Sequence, residues 1–268
     1  MSTSRSTVEL RPAAHIDPRI RARRIDVQRR IGRRRLQRLV DVGLLLAVAA
    51  GFAGALRSPL LDVDRVQLRG NEHTPRALIL ERSGITPGDQ LVDLDLRAAG
   101  ERVAELPWVG DVRLDRGLDG AVVLRVIERT AVAVAGEGAE AVLVDAQGRV
   151  LAREDDEPAL ATALVRLADL PGRVEPGQFL PSAAGGGLEL ATELGSSTPG
   201  LVIDLSRADV LIATLGASTE VRFGPATQLE AKVRSLHTVL EQVDLTCAAV
   251  IDLRSPGSPV LTREGGCS

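Results

Sequence analysis

An apolar run from Leu39 to Leu56 constrains this chain more than any other feature, because opposite charge lies on its two sides. Residues 1–57 hold 13 arginines against four acids, a net of +9. Residues 58–268 hold 19 arginines and one lysine against 32 acids, a net of −12. The overall charge of −3 conceals this split. At 1.5 Å per residue, 18 helical residues just reach across a hydrocarbon core of about 30 Å. Short arginine-rich flanks stay on the cytoplasmic side. The pattern therefore predicts a membrane helix over 39–57 with a cytoplasmic head at 1–38 and the body outside. Asp41, near the inner end, can reach the headgroups. The basic stretch is longer than the front of a cleavable signal, although Ala53-Gly54-Ala55 has the small residues of a cleavage site.

Other function classes find little support. The arginines of the head have no aromatic residue among them, and no folded nucleic-acid module follows. They read as an orientation signal that also meets anionic headgroups, on a largely disordered segment. His15, His73 and His237 are far apart and lack metal-ligand spacing. No Gly-x-Ser-x-Gly elbow is present, and Gly185-Gly186-Gly187 has no lysine following at phosphate-loop spacing. That triplet reads as a flexible loop ahead of a helix over 188–194. No catalytic, cofactor or metal site is expected. Cys247 and Cys267 both fall on the outer side, where a disulfide between them is chemically allowed.

The body reads as α+β. Val63, Val66 and Leu68 mark a strand ending at Gly70-Asn71. Thr74-Pro75 opens a helix closed by Gly84, and Asp95 caps a second with Ala99, Val103 and Leu106 on one face. Val112 and Leu114, then Val122, Leu124 and Val126, alternate as strands about the turn 117–120. Trp108, at the helix-to-strand junction, reads as a packing residue. Beyond it lie a hairpin over 131–144 and strands at 200–205, 209–215 and 218–223. An amphipathic helix carries Leu229, Val233, Leu236, Leu240 and Val243, and a closing strand spans 248–254. With no further strand expected, Ala249, Val250, Ile251, Asp252, Leu253 and Arg254 would form a free sheet edge open to β-augmentation.

These motifs resemble a known family. Val66-x-Leu68-x-Gly70-Asn71, Gly88-Asp-x-Leu91, Leu106-Pro107-Trp108-Val109 and Val122 to Glu128-Arg129 resemble a POTRA domain (β-α-α-β-β). A POTRA domain just after one membrane span is similar to the bacterial division proteins FtsQ/DivIB. Leu143-Val144-Asp145-x-x-Gly148-x-Val150, Lys232 and Ile251-Asp252-Leu253-Arg254 extend the resemblance. The proline usual after Glu-Arg is replaced by Thr130-Ala131. The resemblance implies a POTRA domain over 60–130, an FtsQ-type mixed β-sheet domain over 131–261 covered by the amphipathic helix, and a tail at 262–268. It also implies a non-enzymatic scaffold at the division septum of the plasma membrane. Its partners would be small coiled-coil single-span proteins of FtsB/DivIC and FtsL type, which add a strand at the last strand. Arg254 is then the strongest anchor candidate, since the family's downstream aromatics are absent. The alternative is an anchored envelope sensor, or a POTRA-type module for a wall or translocation ligand.

Overall fold

The computed structural model describes residues 37–52, 54, 62–117, 119–195, 198, 200–207, 209–242 and 248–263. The chain divides into a unit ending at Leu61 and a unit beginning at Asp62. In the first, 37–52 form helix α1, whose Leu39, Leu44, Leu45 and Phe52 are exposed. The span expected over 39–57 lies partly outside the described residues. Among the described residues no helix is long and apolar enough to cross a membrane. Cys247 and Cys267 also lie outside them.

The second unit opens with β1 (Arg65–Arg69), α2 (Arg76–Ser83), α3 (Leu96–Ala104), β2 (Val109–Arg116) and β3 (Ala121–Glu128). The strands form one sheet in the order β1-β3-β2, with β1 parallel and β2 antiparallel to β3. Period-two alternation turns Val122, Leu124 and Val126 toward the helices, where they pack with Ile79, Ala99, Val103 and Leu106. The Asp95 side chain caps α3 through Ala98 N at 3.0 Å. The α2 terminus differs from expectation. Pro75 occupies its N-cap, and the Thr74 hydroxyl is buried without a partner. Thr74 is diverted because its backbone N–H donates to Glu128 Oε1.

The remaining strands are β4 (Ala131–Ala135), β5 (Val142–Asp145), β6 (Val150–Arg153), β7 (Val165–Ala168), β8 (Leu201–Asp204), β9 (Leu211–Leu215), β10 (Thr219–Gly224), β11 (Ala248–Asp252) and β12 (Val260–Arg263). They form a nine-stranded sheet ordered β12-β11-β10-β9-β8-β7-β4-β5-β6. The short helix α4 (Pro158–Thr162) precedes β7, and helices α5 (Gly185–Leu194) and α6 (Leu229–Gln242) cover one face, over a core that includes Phe223, Leu201, Ile203, Leu190 and Leu236. The glycine triplet is therefore not a loop, because it forms the first turn of α5. A Cβ on Gly187 would stand 2.3 Å from Leu205 Cδ2, so glycine lets the helix seat closely on the sheet.

Candidate partner-binding edge and the domain junction

Strand β11 lies where the closing strand was expected, but it is not an edge. It pairs in parallel with β10 and antiparallel with β12, so its backbone is engaged on both sides. Ile251 and Leu253 are fully buried in the core, whereas Ala249, Val250 and Asp252 are half-buried. The free edge expected at 249–254 is thus displaced outward by one strand, to Val260–Arg263. Ser255 to Pro259 makes the turn between the two strands and ends neither the sheet nor the domain.

Arg254 is exposed at the end of β11. Its Nε meets both Asp252 carboxylate oxygens at 3.0 and 2.9 Å, and Nη2 meets Oδ2 at 2.6 Å. These bonds raise the guanidinium pKa and lower that of the Asp252 carboxyl. Register places Asp252 beside Arg222 on one side and Val260 on the other, all on the face away from α6. Arg222 itself pairs with Glu220.

The two ends of the large sheet are unlike. At β6, the passing segment 177–180 covers the start of the edge. Val150 N donates to Gln178 O, and Gly177 N to Val150 O, each at 2.8 Å. At β12 no described strand lies beyond. Its Val260, Leu261 and Thr262 are uncharged, Val260 is 58% exposed, and Arg263 at its end is the one charged residue. The outer edge of β2 is also unpaired, but Asp111, Arg113, Asp115 and Arg116 and a bulge at 109–111 blunt it. An open edge with a single charge at one end leaves a row of backbone donors and acceptors unpaired. Among the described residues no cluster of His, Cys, Asp and Glu could hold a metal ion.

The two sheets meet at a dense polar junction. The Glu128 carboxylate accepts from His73 N and Thr74 N, each at 2.9 Å, and faces His73 Nδ1 at 3.0 Å. The His73 ring stacks on Trp108 at 4.0 Å between centroids. Trp108 does pack in a core, but that core belongs to the second sheet, with Val134, Leu143, Leu151 and Ala161. Arg129 Nη1 donates to Asp145 Oδ2 at 2.6 Å, and Asp145 Oδ1 accepts from Gln147 N and Arg149 N. Arg149 Nη2 returns to Glu105 O at 2.8 Å. Arg129 thus ties the first sheet to the second through Asp145, with Thr130 where the family usually carries a proline.

Burial pushes the Glu128 carboxyl pKa up, but the donors from His73 and Thr74 outweigh it and hold the group below its ordinary value of 4.5. A depressed acid stabilises the fold above its unfolded pKa and loses that contribution as pH falls through the folded one. The Tm advantage of the native chain over Glu128→Gln is therefore expected at neutral pH and should shrink on acidification below pH 4.5. A pH-independent difference in thermal scans would contradict this.

The first sheet and its helices follow the β-α-α-β-β order of a POTRA domain, and a nine-stranded mixed sheet follows it in the chain. Residues 61–129 match the FtsQ-type POTRA domain family, and residues 132–254 match the cell division protein FtsQ/DivIB C-terminal family. The chain belongs to the FtsQ/DivIB family of cell division proteins. It is 35% identical to cell division protein FtsQ of Corynebacterium glutamicum over 32% of this chain and 36% of that one. For FtsQ of Syntrophotalea carbinolica the identity is 36%, over 34% and 33% of the two chains. For FtsQ of Anaeromyxobacter sp. it is 29%, over 83% and 80%. The matched stretch thus spans about a third of the first two relatives and most of the third.

Proposed function

We propose that this chain is a non-enzymatic scaffold of the division machinery. A single membrane span over 39–57 anchors it, with the head cytoplasmic and the body outside, at the division septum. The body recruits small coiled-coil single-span partners of FtsB/DivIC and FtsL type by strand addition. One observation carries this: the nine-stranded sheet is covered at the start of β6 by the passing segment and open at β12, where three of the four residues are uncharged. Main-chain hydrogen bonds to β12 supply affinity, and pockets for alternate side chains supply selectivity. The anchor is supported by α1, whose apolar side chains are exposed on all sides, a pattern suited to lipid.

The six residues 249–254 act on this account from behind the edge. Ile251 and Leu253 hold β11 in the core, while Asp252 and Arg254 present paired charge beside Val260. Arg254→Glu should weaken capture of the outer segment of the FtsB/DivIC-type partner about tenfold, the scale of a charge at an interface rim. The side chain is exposed, so the fold should survive. Calorimetric titration against that segment provides the test. Unchanged affinity would remove Arg254 from the interface.

A further inference from the structure

We infer that α6 tethers the β11–β12 hairpin, with Ser235 and Lys232 as positioning residues that hold β12 in the geometry a partner strand reads. The inference deepens the function proposed above and rests on it for its partner. Strand β12 has four residues, three of them exposed; it pairs with the sheet only through β11, across a bulge at 248–250, and only Leu261 packs against the core. So short a strand, paired on one side, has little hold of its own. Its course is set by the turn that delivers it, and α6 grips that turn. Ser235 Oγ lies 2.6 Å from Pro256 O and 2.9 Å from Ala231 O. A hydroxyl has one proton to donate, and the shorter contact leads to the hairpin turn and not back into the helix.

One turn earlier on the same helix, Lys232 Nζ donates to Pro225 O at 2.7 Å. Lys232 is the single lysine in the chain, 1% exposed, and burial lowers its pKa. Its carbonyl partner fixes the turn 225–228, where Gln228 holds φ at 56°. The end of β10, which leads into that turn, and the β11 terminus are in direct contact. Leu253 N donates to Arg222 O at 2.8 Å, and a Cβ on Gly224 would stand 2.9 Å from Arg254 Cγ. The two α6 side chains therefore pin adjacent turns, one at the end of β10 and one between β11 and β12. Lysine fits where arginine does not, because a compact ammonium on a flexible stem reaches one buried carbonyl without a planar fork to house.

The test uses the full chain carrying Ser235→Ala, with Ser235→Thr as the hydroxyl-retaining rescue and Lys232→Met as the second tether. Alanine suits a helix interior, so Ser235→Ala keeps α6 intact. Amide hydrogen exchange across 254–263 should accelerate roughly fivefold in Ser235→Ala, as expected for the net loss of one hydrogen bond, with β4 to β7 unchanged. Capture of the outer segment of the FtsB/DivIC-type partner should weaken by a similar factor, and Ser235→Thr should restore both. Lys232→Met should accelerate exchange at 224–228 as well as at the hairpin. Unchanged exchange in Ser235→Ala, or faster exchange with undiminished capture, would overturn the inference. If the unaltered chain captures no partner, the proposed function fails. The exchange rates then decide the tether alone, acceleration supporting it and identical rates overturning it.

Discussion

Asp145→Ala is expected to cost roughly 3–5 kcal/mol, because it deprives a half-buried cation and two backbone amides of their shared, buried acceptor at the meeting of the two sheets. The Asp145 side chain is 3% exposed and that of Arg129 21% exposed. Three donors converge on the carboxylate: Arg129 Nη1, Gln147 N and Arg149 N. Alanine leaves Arg129 with Val109 O and a long contact to Gln147 Oε1, neither of which balances its charge. At 2–4 °C per kcal/mol for a body of this size, Tm should fall by about 6–20 °C. Asp145→Asn should fall less, since its side-chain oxygen still serves the two backbone amides. A Tm loss under about 2 °C for Asp145→Ala would show that the junction contributes little to stability.

This junction also shows how far the sequence could be read. Glu128, Arg129, Asp145 and Gly148 all stood out as motif residues, yet nothing in their spacing joined them. Their partners are largely backbone groups, Trp108 O and Val109 O for Arg129 and the amides of His73 and Thr74 for Glu128, and a backbone group has no sequence signature. The two helices of the first sheet and the stripe of α6 were legible because apolar periods of 3.6 run for several turns there. The start of α5 was not, because three glycines signal a loop unless close packing demands them, and the neighbour at Gly187 is Leu205, 18 positions on. The same limit hid Ser235 and Lys232, whose carbonyl partners lie in turns 21 and 7 positions away.

The displaced edge has a different cause. Val260-Leu-Thr-Arg263 is too short for alternation to register, with two residues per face, and it follows Ser255-Pro-Gly-Ser-Pro259, a strong stop signal. The closing strand expected over 248–254 falls on β11 (Ala248–Asp252), but β11 is an inner strand and not the edge of the sheet. With neighbours on both sides, Ile251→Pro would remove a ladder bond within the sheet and disturb the fold itself. It cannot report on partner binding alone.

The second large effect belongs to β12. Successive residues of an antiparallel strand turn their N–H groups alternately toward one neighbour and away from it. Of Leu261 and Thr262, one therefore donates to β11 and the other points outward. Proline at the outward position removes a donor that only an added strand would use, and the ring obstructs that strand's approach. Proline at the inward position breaks the β11–β12 pairing. The measurement to make is capture of the outer segment of the FtsB/DivIC-type partner by the full chain carrying Leu261→Pro or Thr262→Pro, alongside the Tm of each. Strand addition at β12 predicts that one variant loses capture by about tenfold or more while keeping its Tm, since proline removes a hydrogen bond worth up to about 1.5 kcal/mol and its ring also obstructs the incoming strand. Undiminished capture by both variants would contradict it.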